Sequence, residues 1–524
     1  MVNIGFYGSH NGGLAIEQDG KYTVLEFERF FNSKNLGLAQ YKTAKNREFG
    51  LHSALIYLQN ELGIEFPVDT LIHNNTDVTH NNVTTAFKDF IPAKKVVKTT
   101  HHRAHAASSY YQTDYDDALI FSFDGGGDDG FFNVYTANRK DGIVQIGNHL
   151  LDAGFAYMIF AHYIEPIKQE WIGDGNLVYS GKIMGLCNFG VSVPEWEPAM
   201  IEFYLSKPCG ETYQAKIKKL CERIKIHFND GLRLNGETGY NLAATSQKVF
   251  EYIFLKIAQP YFDKYSNYPI ILTGGCGLNI LLNQKLKEMF TDRKIFIAPN
   301  SSDCGIALGQ LLDFTRPSTP VDITYGGVDV FDRCTLPEIV ENRITQYATP
   351  QNVAKLFKDG MIVGVVQGKC EHGPRALGHR SIMCNPAFPE MKDILNKKVK
   401  NREWYRPFAP VVRLEDVSKY FEWEGECKHM LFCPKVKQEW REKLSSITHI
   451  DGTARVQTIT REQNQWLYDV LTEVSKICEH GVLLNTSFNL AGKPILNTYR
   501  DALSVLDKTQ MDYVVLENIL VKKS

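Results

Sequence analysis

The chain of 524 residues predicts an α/β protein built in two parts. Short β-prone apolar runs end in glycine-rich loops. Helical patterns follow several of these runs, as they do where ligand loops sit at strand ends. The strand–loop–strand pattern of the first 30 residues also returns roughly 115 residues later, as a coarse internal repeat.

The elements follow in order. Val2 to Tyr7 reads as a strand, Gly8-Ser9-His10-Asn11-Gly12-Gly13 as a loop and Leu14 to Glu17 as a second strand. Asp19-Gly20 is a hairpin turn, with Tyr22 to Glu28 the third strand. Ala118 to Phe123 repeats the first strand and Asp124-Gly125-Gly126-Gly127-Asp128-Asp129-Gly130 the loop. Phe131 to Thr136 and Ile143 to Ile146 are the strands on either side of a turn at Lys140 to Gly142. Two such halves, about 1–115 and 116–320, place two glycine loops on one cleft, where bare backbone N–H groups approach an anion. Pro269 to Thr273 is a strand running into Gly274-Gly275-Cys276-Gly277-Leu278-Asn279 and a helix. Lys294 to Ala298 is another, ending at Pro299-Asn300-Ser301-Ser302-Asp303 before a helix at Gly305 to Phe314. Arg316-Pro317-Ser318-Thr319-Pro320 breaks structure, so 321–350 reads as a linker and 351–524 as a second α/β domain.

Composition narrows the function. Hydrophobic residues make up 44% and charged residues 23%, enough apolar material for more than one core. Net charge is −2, so no overall basic balance points to polymeric nucleic acid or anionic membrane. No run reaches the roughly 18 apolar residues of a membrane span, and Met1 to Phe6 lacks a signal-peptide pattern. The 11 cysteines are scattered without a CxxC pair, which fits free thiols in a cytoplasmic protein better than a disulfide scaffold or zinc ribbon.

Three stretches carry chemistry. In His101-His102-Arg103-Ala104-His105, a helix puts His101 and His105 on one face at i, i+4, with His102 and His105 the i, i+3 alternative. A buried helix with satisfied histidines is the bland reading. Asp124 and Asp303, at loop ends, supply further ligands, and two His with carboxylates suit a divalent metal, iron and zinc both fitting. The second stretch, Asp124 to Gly130, is either a tight acidic turn or a site. The third, Gly368 to Ser381 with Lys400 to Pro410, Arg455 and Leu483 to Asn489, is dense in glycine and cations interleaved with apolar residues. Guanidinium forks with glycine loops hold phosphate or carboxylate bidentately.

On these residues the chain resembles the O-carbamoyltransferases of the nodulation and antibiotic-tailoring type. The matching segments are Gly8 to Asn11, Glu28 to Phe30 with Lys34, His101 to Ala106, Asp124 to Asp128, Gly181 to Leu186, Thr273 to Asn279, Asp303 to Gly305, Glu371 to Ser381, Lys400 to Pro410 and Asn485 to Asn489. The resemblance implies that 1–320 is an actin/Hsp70-like ATPase fold, close to the universal tRNA threonylcarbamoyladenosine enzyme. It implies that 351–524 is a YrdC-like domain. The implied reaction forms carbamoyl-adenylate from carbamoyl phosphate and ATP, then passes the carbamoyl group to a hydroxyl of a small molecule. By the same resemblance Arg375, Lys400, Arg406, Arg455 and Ser487 bind carbamoyl phosphate and ATP, the latter with Mg2+. Gly125, Gly126, Lys182, Gly274, Gly275 and Asn279 line nucleotide or phosphate loops. His101, His105, Asp124 and Asp303 hold a divalent metal, Fe2+ first, and His10 is the catalytic group at the acceptor hydroxyl. The acceptor class spans sugars, natural products and hydroxymethylated nucleosides or nucleotides, and monomer and homodimer both stay open. A small-molecule kinase on the N-terminal fold and a non-catalytic nucleotide-binding regulator are the alternatives. The kinase leaves the C-terminal arginines unexplained.

Overall fold

The computed structural model describes residues 1–41, 43–74, 88–167, 175–206, 213–229 and 233–523; Cys209 lies outside them. The chain divides into two units, Met1–Glu28 with Asn35–Val321, and Arg29–Lys34 with Asp322–Ser524. The architecture is mixed α/β with three sheets.

The first unit holds two five-stranded sheets. One contains β1 (Val2–Tyr7), β2 (Gly13–Gln18), β3 (Lys21–Glu26), β4 (Val68–His73) and β5 (Ala93–Lys98). The other contains β6 (Asp117–Gly127), β7 (Gly130–Asn138), β8 (Gly142–His149), β9 (Ile270–Thr273) and β10 (Ile295–Ile297). Their orders, β3-β2-β1-β4-β5 and β10-β9-β6-β7-β8, are the same topology twice. In each, three antiparallel strands are followed by two parallel ones. The parallel strands are reached through crossovers, as parallel pairing requires.

Two helices are set against this framework at very short range. The helix His101–Tyr110 is buried on nearly every face. A Cβ on Gly309, in the helix Ile306–Thr315, would lie 1.9 Å from the carbonyl oxygen of Ala104. A Cβ on Gly5 of β1 would lie 2.0 Å from that of Ala307. Glycine is therefore required at both contacts, and the two helices meet backbone to backbone. This fixes the height of His101 and His105 relative to Asp303, which immediately precedes the second helix.

The second unit is built on an eight-stranded sheet of order β11-β18-β17-β12-β13-β16-β14-β15. Its strands are β11 (Thr345–Tyr347), β12 (Val363–Val366), β13 (Arg380–Cys384), β14 (Ala409–Arg413), β15 (Gln457–Ile459), β16 (Val482–Ser487), β17 (Tyr513–Leu516) and β18 (Ile519–Lys522). The helix Gln465–Ile477 buries Leu467, Val470, Leu471 and Val474, an i, i+3, i+4, i+7 stripe. That stripe shares a core with Val353, Ala354 and Phe357 of the helix Pro350–Lys358 and with Val363, Val365, Met383, Val411 and Leu483 of the sheet.

Three local expectations shift. The third strand stops at Glu26, and Phe27–Phe30 forms one helical turn. The stretch 321–350 belongs to the second unit from Asp322 onward: Ile323, Val328 and Val330 are buried, and β11 is an edge strand of its sheet. Its proline and glycine punctuation marks irregular backbone rather than a free connection. The acidic glycine stretch is a hairpin: β6 runs on to Gly127, which pairs with Gly130 after a register shift.

Candidate functional site

Nε2 of His105 lies 3.1 Å from Nε2 of His101, 3.1 Å from Oδ2 of Asp124 and 3.4 Å from Oδ1 of Asp303. Nε2 of His101 lies 3.7 Å from the same Oδ1. One donor atom from each of the four residues falls within 4.8 Å of the others. Sequence places them at 101, 105, 124 and 303; the fold brings them together.

Each donor is held by its element. The hairpin aspartates cap the helix that carries the histidines: Oδ1 of Asp128 accepts from His101 N at 2.8 Å, and Oδ1 of Asp129 from His102 N at 3.0 Å. Carboxylates there satisfy orphan N–H groups and complement the helix dipole. Gly127 admits the His101 ring, which a Cβ would meet at 2.6 Å. Asp124 accepts from Gly125 N at 2.6 Å and from Gly275 N at 2.8 Å. Asp303 accepts from the Tyr7 hydroxyl at 2.8 Å. His102 turns away: Nε2 meets the carbonyl of Gly130 at 3.0 Å, so it carries the proton, and Nδ1 accepts from the Ser122 hydroxyl at 2.7 Å. Burial and the neighbouring His101 push the His102 imidazole down to about 4, leaving it neutral. The i, i+4 pair is therefore the ligand-forming one.

The electrostatics ask for a cation. Burial opposes charge on His105, yet hydrogen bonds to Asp124 and Asp303 lift it to about 9. Burial also opposes charge on Asp303, but His10, His101 and His105 hold it far below the usual carboxylate range. A proton on His105 thus plays the part a bound dication would play. Two imidazoles and two carboxylates are a fitting donor set for a first-row divalent metal. His10 belongs to the same constellation, its Nε2 3.4 Å from Oδ2 of Asp303.

The expected phosphate-loop residues have mixed surroundings. Gly274 has φ +80°, and a Cβ there would strike the Phe123 carbonyl at 2.3 Å. Gly126 has φ +149°, which also favours glycine. Asn279 serves the scaffold: its side chain accepts from Leu282 N to cap the helix Ile280–Met289 and donates to Gln247 at 3.0 Å. Lys182 is buried in the helix Tyr179–Leu186, its Nζ 5.5 Å from the centre of the Tyr179 ring.

In the second unit the expected cations converge. Burial, then the charge of Arg406, pushes the Arg375 guanidinium down to about 10. Burial and the charges of Arg375 and Arg406 hold Arg455 well below its usual range. Burial and the charges of Arg402, Arg406 and Lys34 do the same to Lys400. The Nζ of Lys400 reaches Ser487 O at 2.5 Å, Ser487 Oγ at 3.2 Å, Asn489 O at 3.0 Å and Asn489 Oδ1. Four oxygens thus surround this one amine. Glu403 faces Arg406 at 3.8 Å. Nε of Arg375 and Nε of Arg455 are buried without a hydrogen-bond partner. Mutually repelling cations outnumber the acid beside them, and such a cluster is completed by an anion.

Sequence reading missed parts of this site. Arg402 stacks over Phe408 at 4.2 Å and donates to Oδ1 of Asn396 at 2.7 Å, although only its place in the Lys400 to Pro410 run signals it. Glu371 gathers the N–H groups of Leu377, His379 and Arg380 on one carboxylate oxygen, folding the loop that carries Arg375. Tyr7, at the end of an apolar strand, gives no signal in sequence.

The chain thus carries a cluster of cations in its second unit and a His–Asp set in its first. The family model described as "Carbamoyltransferase N-terminus" matches residues 71–312, and that described as "Carbamoyltransferase C-terminus" matches 354–523. Nodulation protein NolO of Bradyrhizobium diazoefficiens is 30% identical over 447 residues, covering 81% of this chain and 78% of that protein. The 3'-hydroxymethylcephem-O-carbamoyltransferase of Streptomyces clavuligerus is 29% identical over 444 residues, covering 84% and 82%. The crystal structure of full-length HypF in its phosphate- and nucleotide-bound form is 14% identical, with a TM-score of 0.37 over 60% of this chain and 46% of that one. So loose a superposition carries no argument about function. The chain belongs to the carbamoyltransferase family and is an enzyme of the O-carbamoyltransferase type.

Proposed function

We propose that this enzyme makes carbamoyl-adenylate from carbamoyl phosphate and ATP in its second unit and transfers the carbamoyl group to a small-molecule hydroxyl in its first. The observation that carries the reading is the convergence of Arg375, Lys400, Arg402, Arg406 and Arg455. Both donors are polyanions, and neither can attack the other until its charge is neutralised. The atoms balance when water releases phosphate from carbamoyl phosphate and a carbamate oxygen attacks the α-phosphorus of ATP, expelling pyrophosphate. The acceptor oxygen then forms a bond to the carbamoyl carbon, and AMP leaves.

In the second unit, Arg375, Arg406 and Arg455 orient the phosphates as fixed forks, and Lys400 with Ser487 sets the floor of the site. In the first, His10 takes the proton of the acceptor hydroxyl as attack proceeds. His101, His105, Asp124 and Asp303 would hold a divalent metal. When bound, such an ion supplies Lewis-acid polarisation of a phosphate or carbamoyl oxygen. This reading goes with an actin/Hsp70-like first unit, for which the doubled five-strand topology speaks, and with a YrdC-like second unit. It also goes with a cytoplasmic setting; among the described residues no helix is long and apolar enough to cross a membrane.

The test is product analysis with ATP and carbamoyl phosphate but no acceptor. Pyrophosphate release that requires carbamoyl phosphate, and that Arg406→Ala abolishes, is the expected result. Formation of ADP would turn the reading toward a kinase.

A further inference from the structure

Asp303 has two oxygens with different duties. Oδ1 faces the histidines, at 3.4 Å from His105 and 3.7 Å from His101. Oδ2 accepts from the Tyr7 hydroxyl at 2.8 Å and lies 3.4 Å from Nε2 of His10. Tyr7 is the last residue of β1, 3% exposed, its backbone paired with Gly13. Its ring meets His101 edge-on, with centroids 6.1 Å apart. Backbone N–H groups of Gly125 and Gly275 steer the other carboxylate, Asp124. Asp303 is steered by a side chain.

We propose that Tyr7 is a positioning residue of the His–Asp cluster: it occupies Oδ2 so that Asp303 offers the histidines one oxygen, which favours small first-row dications over larger ones. The inference rests on reading the cluster as a metal site. A carboxylate that chelates through both oxygens suits Ca2+, which collects 6–8 oxygens at about 2.3–2.6 Å. A carboxylate held to one oxygen beside two imidazoles suits ions bound at about 2.0–2.2 Å. Removing the hydroxyl leaves Oδ2 with the longer 3.4 Å contact to His10 in place of a 2.8 Å hydrogen bond, so it turns more readily toward the metal-facing side. Residues that orient metal ligands in this way are typically worth about 10- to 100-fold in affinity.

The experiment is a double-mutant cycle on the chelator-treated full chain, with Tyr7→Phe, Asp303→Asn and the double variant, and Co2+ as the probe. Co2+ affinity is read by competition with a chelating dye, Ca2+ affinity by calorimetry, and coordination by the visible absorption of bound Co2+. Tyr7→Phe is expected to weaken Co2+ about 10- to 100-fold, narrow its preference over Ca2+ and alter the visible band. In the Asp303→Asn background the same change should cost nothing further. A folding cost of losing the hydroxyl appears in both arms of the cycle and cancels. Equal penalties in both backgrounds would mean that Tyr7 acts through packing, which overturns the inference. Weakened binding in Asp303→Asn with wild-type binding and band in Tyr7→Phe would overturn it too, leaving the metal site standing. Unchanged Co2+ affinity in Asp303→Asn would overturn the metal-site reading itself.

Discussion

His10 stands with its Nε2 3.4 Å from Oδ2 of Asp303, a residue 293 positions further along the chain. The first glycine loop and the loop before the helix Ile306–Thr315 thus deliver their functional side chains to one point. No proposed ligand of carbamoyl phosphate lies in this unit.

That separation predicts divided half-reactions. His10→Ala should leave carbamoyl-phosphate-dependent pyrophosphate release largely intact. Transfer to the acceptor should fall by roughly 100- to 10,000-fold, the range of a positioned acid–base group. Carbamate and AMP should leak by hydrolysis. Parallel loss of both activities, with the circular dichroism spectrum unchanged, contradicts this division.

The metal ligands give a second outcome. His101→Ala and His105→Ala should each weaken divalent-metal binding by more than about 100-fold, since a directly bound ligand matters more than its supports. Elemental analysis after gel filtration reads the result. Full occupancy in both variants would make the pair core histidines.

The cation cluster predicts a trade between stability and binding. Arg455 is half-buried beside Arg375 and Arg406, with its Nε buried and unpartnered. Arg455→Met should therefore stabilise the ligand-free chain, by about 0.5–2 kcal/mol. Wild-type protein should melt higher as carbamoyl phosphate or pyrophosphate is added. The variant should start higher and gain little. A variant that starts lower and still responds would place Arg455 outside the anion site.

A fourth outcome concerns pH. Burial holds His480 near 4, below its ordinary 6.5, and its Nδ1 accepts from Val482 N at 3.3 Å. The folded ring is neutral and the unfolded one takes up the proton first. Its contribution is therefore present above pH 6.5 and is lost as the pH falls toward 4, to a total of about 3 kcal/mol. His480→Gln should flatten the dependence of urea-unfolding free energy on pH across that window. An unchanged slope would mean that the ring is protonated without cost.

Much of the scaffold was legible because its signals are local. The strand Val2 to Tyr7, the hairpin turn at Asp19-Gly20 and the apolar strand before Gly274 follow from alternation, β-propensity and turn chemistry within a few residues. The i, i+4 spacing of His101 and His105 likewise needs only a helix to be understood.

By itself the sequence determined the α/β class, the repeated strand–loop unit, the residue types available for binding an anion and a metal, and the resemblance that names the chemistry. The tertiary structure decided which of them meet. It chose His101 over His102 as the partner of His105, because Gly130 and Ser122 claim the His102 ring. It turned the acids Asp128 and Asp129 into caps of the histidine helix, and it folded Asp322 to Pro350 into the second unit. It also set Tyr7 on Asp303. The physical reason is range: propensity and periodicity act over a turn of helix or a strand, whereas coordination and charge neutralisation act between side chains hundreds of residues apart, placed by how closely two glycines let their backbones approach.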